Sequence, residues 1–577
     1  MIEGDNLAAR QVLGVGVTGH RLARLGDTDL TALGTAIAGV LEQVAAATPG
    51  GSVAGTRMIT GLAEGADMIA AHAALARGWR LDAVLPFARD EFAKDFAEGA
   101  ERTEYAATLG AAAAVFELPG ERVHEAAAYE RVGRVVLAQS DILIAVWDGG
   151  AGRGRGGAAQ IVAEAVLAGI PVIHIDPANS HPPRLLWDRL EAHDLGQQTV
   201  DTVPRAGLER LPDLLAQLLL PPVSPGEQAM LARFESGAVD RERWFAFAYP
   251  WLVGLFGRGG AKAVTAPPPP PETCFSPTLA AVIAPRFANA DRTGSALGRL
   301  FRSGYVTNFS FAALAVILSL LGLVLPAAFK PLLILSEVIV IGAILFITRT
   351  GNRAQWHRRW LDHRHLAERL RVLTIGVQLG DLDLRAEASA ERGWAGWYVR
   401  ATARQIGLPS VTVDKTYLDC VRAALTHLID DQIAYLSSDA ARMHRMEHRL
   451  HRLGGWLFAA TAVICGAVLL FKLAALGSET LEHAAKPVGL AATILSAALP
   501  AIGAAIYGIR MQGDFAGTSE RSAALAGQLT VLKTVIEADA LDFDTLTRRT
   551  RRAADLLTRD LATWLRTYHA RPLTLPG

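Results

Sequence analysis

Cysteine is nearly absent from the chain: three in 577 residues, Cys274, Cys420 and Cys465, far apart. That spacing predicts neither a disulfide framework nor a metal site and fits a reducing compartment. Net charge is absent as well. Basic and acidic side chains number 57 each, so no basic field points to nucleic acid as a partner. The stretch Met1–Arg10 has acidic residues and no apolar core of a secretory leader, which predicts an N-terminal domain that stays in the cytoplasm. Charged residues are only 20% of the chain, whereas apolar ones are 51%. That balance is high for a soluble protein and suits one partly in a membrane.

The apolar residues are concentrated. Val306–Leu325 has no charge, and Pro331–Thr348 has only Glu337, with Pro326–Lys330 between them. About 20 apolar residues at about 1.5 Å each cross a hydrocarbon core of about 30 Å, so these predict two spans in a tight hairpin. Trp456–Leu476 and Val488–Tyr507 predict a second hairpin, with Pro500 a kink. Arg349, Arg353, Arg358 and Arg359 follow the first hairpin. Arg442, Arg445, Arg449 and Arg452 precede the second, and Arg510 and Arg521 follow it. The hairpin loops carry only lysines. This asymmetry places both termini and the middle on the cytoplasmic side of the cell's inner membrane. Glu337, an acid inside a span, is a pore-lining candidate; near the interface it would be an ordinary surface acid.

Residues 1–220 read differently. Val12–Val17, Thr56–Thr60, Leu81–Pro86, Ala113–Leu118, Asp141–Trp147 and Pro171–Ile175 are short β-rich runs separated by helical stretches. Such alternation predicts a mostly parallel, Rossmann-like α/β sheet. Three strand ends carry glycine turns: Thr18-Gly19-His20-Arg21, Gly61 through Glu64-Gly65-Ala66-Asp67, and Asp148-Gly149 through Arg153, Arg155, Gly156 and Gly157. Ligands of such sheets bind beyond the carboxyl ends of the strands, where helix N-termini face an anion and glycine admits a phosphate. Arg21, Arg153 and Arg155 are phosphate clamps or solvated loop charges. Glu64 and Asp67 hold a ribose hydroxyl or cap the next helix. Asp148 faces the cleft or makes an Asx-turn. His20 reads as a hydrogen-bonding residue rather than a base.

These motifs resemble the DprA/LOG-related nucleotide-binding superfamily called SLOG, over about residues 10–180. The resemblance implies a nucleotide-derived ligand at the three turns, NAD-derived and cyclic nucleotides among the candidates. LOG-type enzymes of that superfamily carry Gly-Gly-x-Gly-Thr-x-x-Glu. Here the loop reads Gly156-Gly157-Ala158-Ala159-Gln160, and Glu164 comes later than the motif's glutamate. The departure favours a sensor over an enzyme that releases a base from a nucleoside monophosphate.

Between 221 and 300, Pro221–Pro225 closes the first domain and Pro267–Pro271 is an extended spacer. The aromatic stretch Arg243–Phe256 suits a membrane interface or interdomain packing. Arg292, Arg299 and Arg302 then lead to the first span. Beyond it, Gln355–Leu379 mixes arginine and histidine with Trp356, Trp360, Leu361, Leu366 and Leu370 at helical spacing. His357, His363 and His365 on it could bind a metal, but the flanking arginines favour a solvated basic face. Arg364, Glu368 and Arg371 are expected to pair. Leu366-Ala367 through Leu373 recurs as Leu525-Ala526 through Leu532, an offset of 159 residues that also aligns Thr348 with Tyr507. Two units are therefore expected, 301–450 and 451–577, each a hairpin followed by long cytoplasmic helices. Gly489, Ala492, Ser496, Gly503 and Ala504 permit close helix approach within or between chains, as in a homo-oligomer. The hairpin with Trp360, Arg364, Ala367, Glu368, Leu370 and Arg371 resembles the SLATT family. That resemblance implies a pore-forming membrane effector of a bacterial nucleotide-signalling, antiviral system. The expected whole is a Rossmann-like domain followed by an all-α membrane part of four spanning helices.

Overall fold

The computed structural model describes residues 7–50, 55–150, 152, 154–178, 181–187, 198–238, 243–258, 277–382, 384, 393–475, 479–568 and 573–575. Arg153 and the Pro267–Pro271 spacer lie outside them.

The strands are β1 (Leu13–Gly19), β2 (Thr56–Thr60), β3 (Arg80–Leu85), β4 (Ala114–Glu117), β5 (Ile142–Val146), β6 (Val172–Ile175), β7 (Arg184–Leu186), β8 (Arg205–Ala206) and β9 (Val411–Thr412). They form one mixed sheet in the order β8-β7-β6-β5-β1-β2-β3-β4-β9. Only the pairings of β7 with β6 and β8 are antiparallel. β1, β2 and β5 are covered on both faces, which is why they read as continuous apolar runs rather than alternating ones. The six expected strands are present. The three unforeseen ones have two or three residues each, too few to show a period.

The helices up to the sheet's end are α1 (Leu22–Leu25), α2 (Leu30–Ala47), α3 (Ala66–Ala76), α4 (Arg89–Phe92), α5 (Ala100–Gly110), α6 (Glu125–Gln139), α7 (Ala158–Leu167) and α8 (Leu211–Leu219). α2 begins where Asp29 accepts from the N–H groups of Thr31 and Ala32. Leu33, Ile37, Val40, Leu41 and Val44 of α2 join β1, α3 and α8 in the core on one side of the sheet. α6 and α7 cover the other side.

The helical part follows: α9 (Pro225–Glu235), α10 (Ala248–Phe256), α11 (Pro277–Leu321), α12 (Lys330–Arg353), α13 (Trp356–Gly376), α14 (Trp394–Ile406), α15 (Lys415–Ala475), α16 (Glu479–Gly513), α17 (Phe515–Ala538) and α18 (Phe543–Tyr568). Among the described residues, five helices are long and apolar enough to cross a membrane: α2 and parts of α11, α12, α15 and the α16–α17 stretch. The first differs in kind, because its apolar stripe is buried on the sheet. The others leave large apolar side chains bare, among them Leu332, Ile334, Val338 and Ile339 of α12 and Val463, Leu469 and Leu470 of α15. A contiguous belt of this kind marks a surface meant for another apolar phase.

The expected linker is partly helix. Arg292, Arg299 and Arg302 belong to α11, a single 45-residue helix that runs into the first apolar stretch. α13 corrects a second expectation. Its histidines are not on a solvated face; His357, His363 and His365 are buried, with Arg359, Glu368 and Arg369. Local periodicity fails here because α11, α14 and α18 cover different sides of the same helix. Glu368 does pair with Arg364 at 2.7 Å, and also with Arg371. The cysteine expectation also falls: Cys420 is disulfide-bonded, and only Cys465 is free and exposed among the described residues. Distance along a chain does not limit which β-carbons a fold brings together.

The two units match in backbone detail. α12 ends and α13 begins at Gln355; α16 ends and α17 begins at Asp514. These positions are 159 residues apart and hold φ of 50° and 45°, left-handed in residues other than glycine. α11 packs along α12 and α13 as α15 packs along α16 and α17. The units meet where α11 crosses α16: a β-carbon on Gly508 would stand 2.2 Å from the Phe309 ring.

Candidate functional site

β1 is the point where strand order reverses. β2, β3 and β4 extend to one side of it, and β5 and β6 to the other. Loops after β1 and β5 must part there, which opens a crevice at the carboxyl edge. A cleft of about 760 Å³ occupies it. Of the predicted residues, it is lined by Thr18, Gly19, His20, Arg21, Gly61, Asp67, Arg155, Gly156 and Gly157. The three glycine turns therefore converge. Glu64, Gly65, Asp148 and Gly149 are not part of the lining.

Two glycines are required by contact. Gly65 has φ 96°, and a β-carbon there would stand 2.8 Å from the His20 carbonyl. Gly156 has φ 82° and would put one 2.8 Å from the Glu130 amide nitrogen. Both values favour glycine strongly. In the turn that leads to Gly65, Leu62 is held at φ 49° with no exposure, its N–H donating to Thr60 Oγ1 at 3.1 Å. Strain of this kind, about 1–3 kcal/mol, persists where surroundings over-determine it and clusters at functional sites. α3 and α7 start at Gly65 and Gly157 with no side chain capping either first turn. Their N-terminal dipole ends favour an anion.

Charge is distributed unevenly among the candidates. The Asp148 carboxylate accepts from its own loop at Gly150 N, 3.0 Å, and from Arg24 at 2.9 Å. This is the Asx-turn arrangement. Burial would raise Asp148, but the Gly150 N–H and Arg24 hold it down at about 2. His20 Nε2 accepts the Asp148 backbone N–H at 3.2 Å, so its proton sits on Nδ1. The contact of the same nitrogen with Asp148 Oδ1 at 3.2 Å is then proximity, not an ion pair. Burial holds His20 below its ordinary value, in agreement with the neutral ring. Arg155 is tied to Glu130, a buried hub that also pairs with Arg134 at 2.7 Å and accepts from Gln160 at 2.9 Å. Arg21 differs. Among the described residues no carboxylate pairs with it; its guanidinium lies 4.1 Å over the Tyr129 ring. Asp67, at the start of α3, is buried and pushed up to about 7, against hydrogen bonds from Thr60, Ala63 and Gly61 and the nearby Arg21.

Sequence reasoning missed one wall. α6 and the turn before it supply Arg122, Glu125, Ala126, Tyr129, Val132 and Gly133. None lies at a glycine-rich strand end, so no local pattern marks them. The back of α6 faces the helical part. Arg131 pairs with Asp544 of α18 at 2.8 Å, and Gln139 donates to the Gly380 carbonyl at 2.8 Å. Val132, Val135 and Val136 share a core with Leu529, Leu532 and Phe543. Glu337 is remote from the cleft. It lies half-buried on the face of α12 that also carries Ile344, Ile347 and Thr348. No family model matches the chain, and no curated protein matches it.

Proposed function

We propose that the chain is a ligand-gated membrane effector. The α/β domain binds a phosphate-bearing, nucleotide-derived ligand in the switch-point cleft. Binding biases an oligomer of the four long apolar helices between a closed and an open state. Gating requires the ligand to bind the two states with different affinity. The observation that carries the reading is α6: its front forms a wall of the cleft and its back is bonded to the helical part through Arg131 and Gln139. Arg21 and the open first turns of α3 and α7 supply the anion-recognising groups. The SLOG and SLATT resemblances favour a role in bacterial antiviral nucleotide signalling, with both units anchored in the inner membrane and the α/β domain in the cytoplasm. The test is a nucleotide panel, including NAD-derived and cyclic forms, against the full chain by thermal shift. Dye and ion release from vesicles with each hit follows. A nucleotide that binds and triggers release is expected. Binding without release by any hit defeats the gating reading.

Asp67 favours a second reading, a membrane-tethered nucleotide-processing enzyme, since a buried acid poised near 7 suits proton transfer. Base release from a nucleoside monophosphate, lost in Asp67→Asn, would select it.

A further inference from the structure

A second cavity, of about 420 Å³, lies between the two hairpin units, enclosed by α11, α13, α15 and α17. Arg299, Arg302, Arg364 and Arg521 line it. Two of the four are answered by carboxylates, Arg364 by Glu368 at 2.7 Å and Arg521 by Asp514 at 2.9 Å, and Arg299 is also engaged. Asp439, also in the lining, is taken by Arg442 at 2.8 Å. Asp291 is the remaining acid there.

Arg302 is the exception. Its guanidinium is stacked 5.1 Å from the Tyr249 ring and 4.7 Å from the Trp360 ring. Among the described residues no carboxylate pairs with it and no oxygen accepts from it. The seat is built. Gly298 lets α11 approach α13 so closely that a β-carbon would stand 2.8 Å from Trp360 Nε1. A guanidinium held by two aromatic rings keeps its charge and its hydrogen-bond donors for an outside acceptor, and its planar fork of donors matches phosphate oxygens.

The depth of this cavity follows from the chain. Tyr305 lines it, and the apolar run of α11 begins at Val306. Gln512 and Gly513 line it from the end of α16. Beside it, α10 turns Tyr249 and Leu252 inward and leaves Trp251 62% exposed, and the turn before α10 leaves Trp244 and Phe247 exposed at 57% and 64%. Trp244 also stacks on Phe311 of the apolar run at 6.0 Å. Exposed aromatics at the edge of an apolar belt mark the headgroup layer of a bilayer.

We propose that this cavity binds a phosphate-bearing anion, with Arg302 as its principal donor and a phospholipid headgroup as the source that its depth favours. The assignment of depth rests on the membrane reading above; the anion site itself does not. The test uses the full chain in micelles of a phosphate-free maltoside detergent and follows its thermal midpoint during titration with phosphatidylglycerol or, separately, with glycerol 3-phosphate. The wild type is expected to be stabilised. Arg302→Met is expected to need about tenfold more anion or beyond, the loss of one charge-assisted hydrogen-bonding group. Arg302→Lys, which keeps the charge, falls between them and controls for misfolding. Response to phosphatidylglycerol alone assigns the site to lipid; response to both assigns it to phosphate from either source. Titration of Arg302→Met indistinguishable from wild type, or no response to either anion, overturns the proposal. A chain that does not enter phosphatidylcholine vesicles defeats the membrane reading, and the glycerol 3-phosphate arm still decides the anion site.

Discussion

One of the contacts that join the α/β domain to the helices that follow it is a buried ion pair. Asp141, at the head of β5, accepts from Arg404 Nε of α14 at 2.9 Å, with side-chain exposures of 1% and 3%. Asp141 Oδ2 also accepts from Gly14 N of β1 at 2.9 Å, and Arg404 donates further to the Leu218 carbonyl at 3.1 Å. Asp141→Ala leaves a guanidinium buried without its carboxylate and Gly14 N–H without its acceptor. The loss of one partner of such a pair costs about 3–5 kcal/mol. At about 2–4 °C per kcal/mol for a domain of this size, the α/β domain should melt roughly 6–20 °C lower. Tryptophan fluorescence of the detergent-solubilised full chain reads this, since Trp79 and Trp147 are both buried in that domain. The double variant Asp141→Leu, Arg404→Leu removes both charges and should cost less than Asp141→Leu alone, because no charge is stranded. A drop below about 2 °C for the single variant would refute the reasoning. So would a double variant whose loss equals the sum of its parts.

Gly156→Ala should abolish ligand stabilisation of the cleft while leaving the helical part folded, because φ 82° and the 2.8 Å approach to Glu130 N admit no β-carbon; unchanged nucleotide titrations would contradict this. Asp67 gives a pH signature: its folded-state value of about 7 lies above the ordinary 3.8, so the native state holds a proton that the unfolded chain releases. Stability should therefore fall as pH rises from about 4 to about 7 and then level off, and Asp67→Asn should flatten that slope in unfolding titrations. Arg131→Ala should keep nucleotide affinity but lower nucleotide-triggered vesicle leakage, as the 2.8 Å bond to Asp544 is lost; equal leakage would remove α6 from the coupling route. Glu337→Gln should reduce cation over anion release from vesicles without changing assembly, and unaltered selectivity would exclude it from the pore.

Much of this architecture was legible along the chain. Six strands and four long apolar helices follow from periodicity, run length and turn residues, all of which are local. The left-handed breaks at Gln355 and Asp514 stand at the same offset of 159 residues, although no residue type at either position announced them. The glycine turns marked one side of the cleft: a positive φ or a close backbone approach must be written as glycine where it occurs.

Other features are decided only by neighbours distant in sequence. Burial of His363 and His365 depends on helices that arrive from other parts of the chain. So does the α6 wall, with Tyr129 beneath Arg21. β9 completes the sheet from beyond the first hairpin, since two residues gain strand character only from the edge they pair with. Which arginines are answered, and that Arg302 lies between Tyr249 and Trp360, is likewise a matter of packing. The sequence by itself determined where charge, glycine and apolar runs lie. Tertiary structure decided which charges are neutralised, because pairing and desolvation depend on distances that no spacing along the chain records.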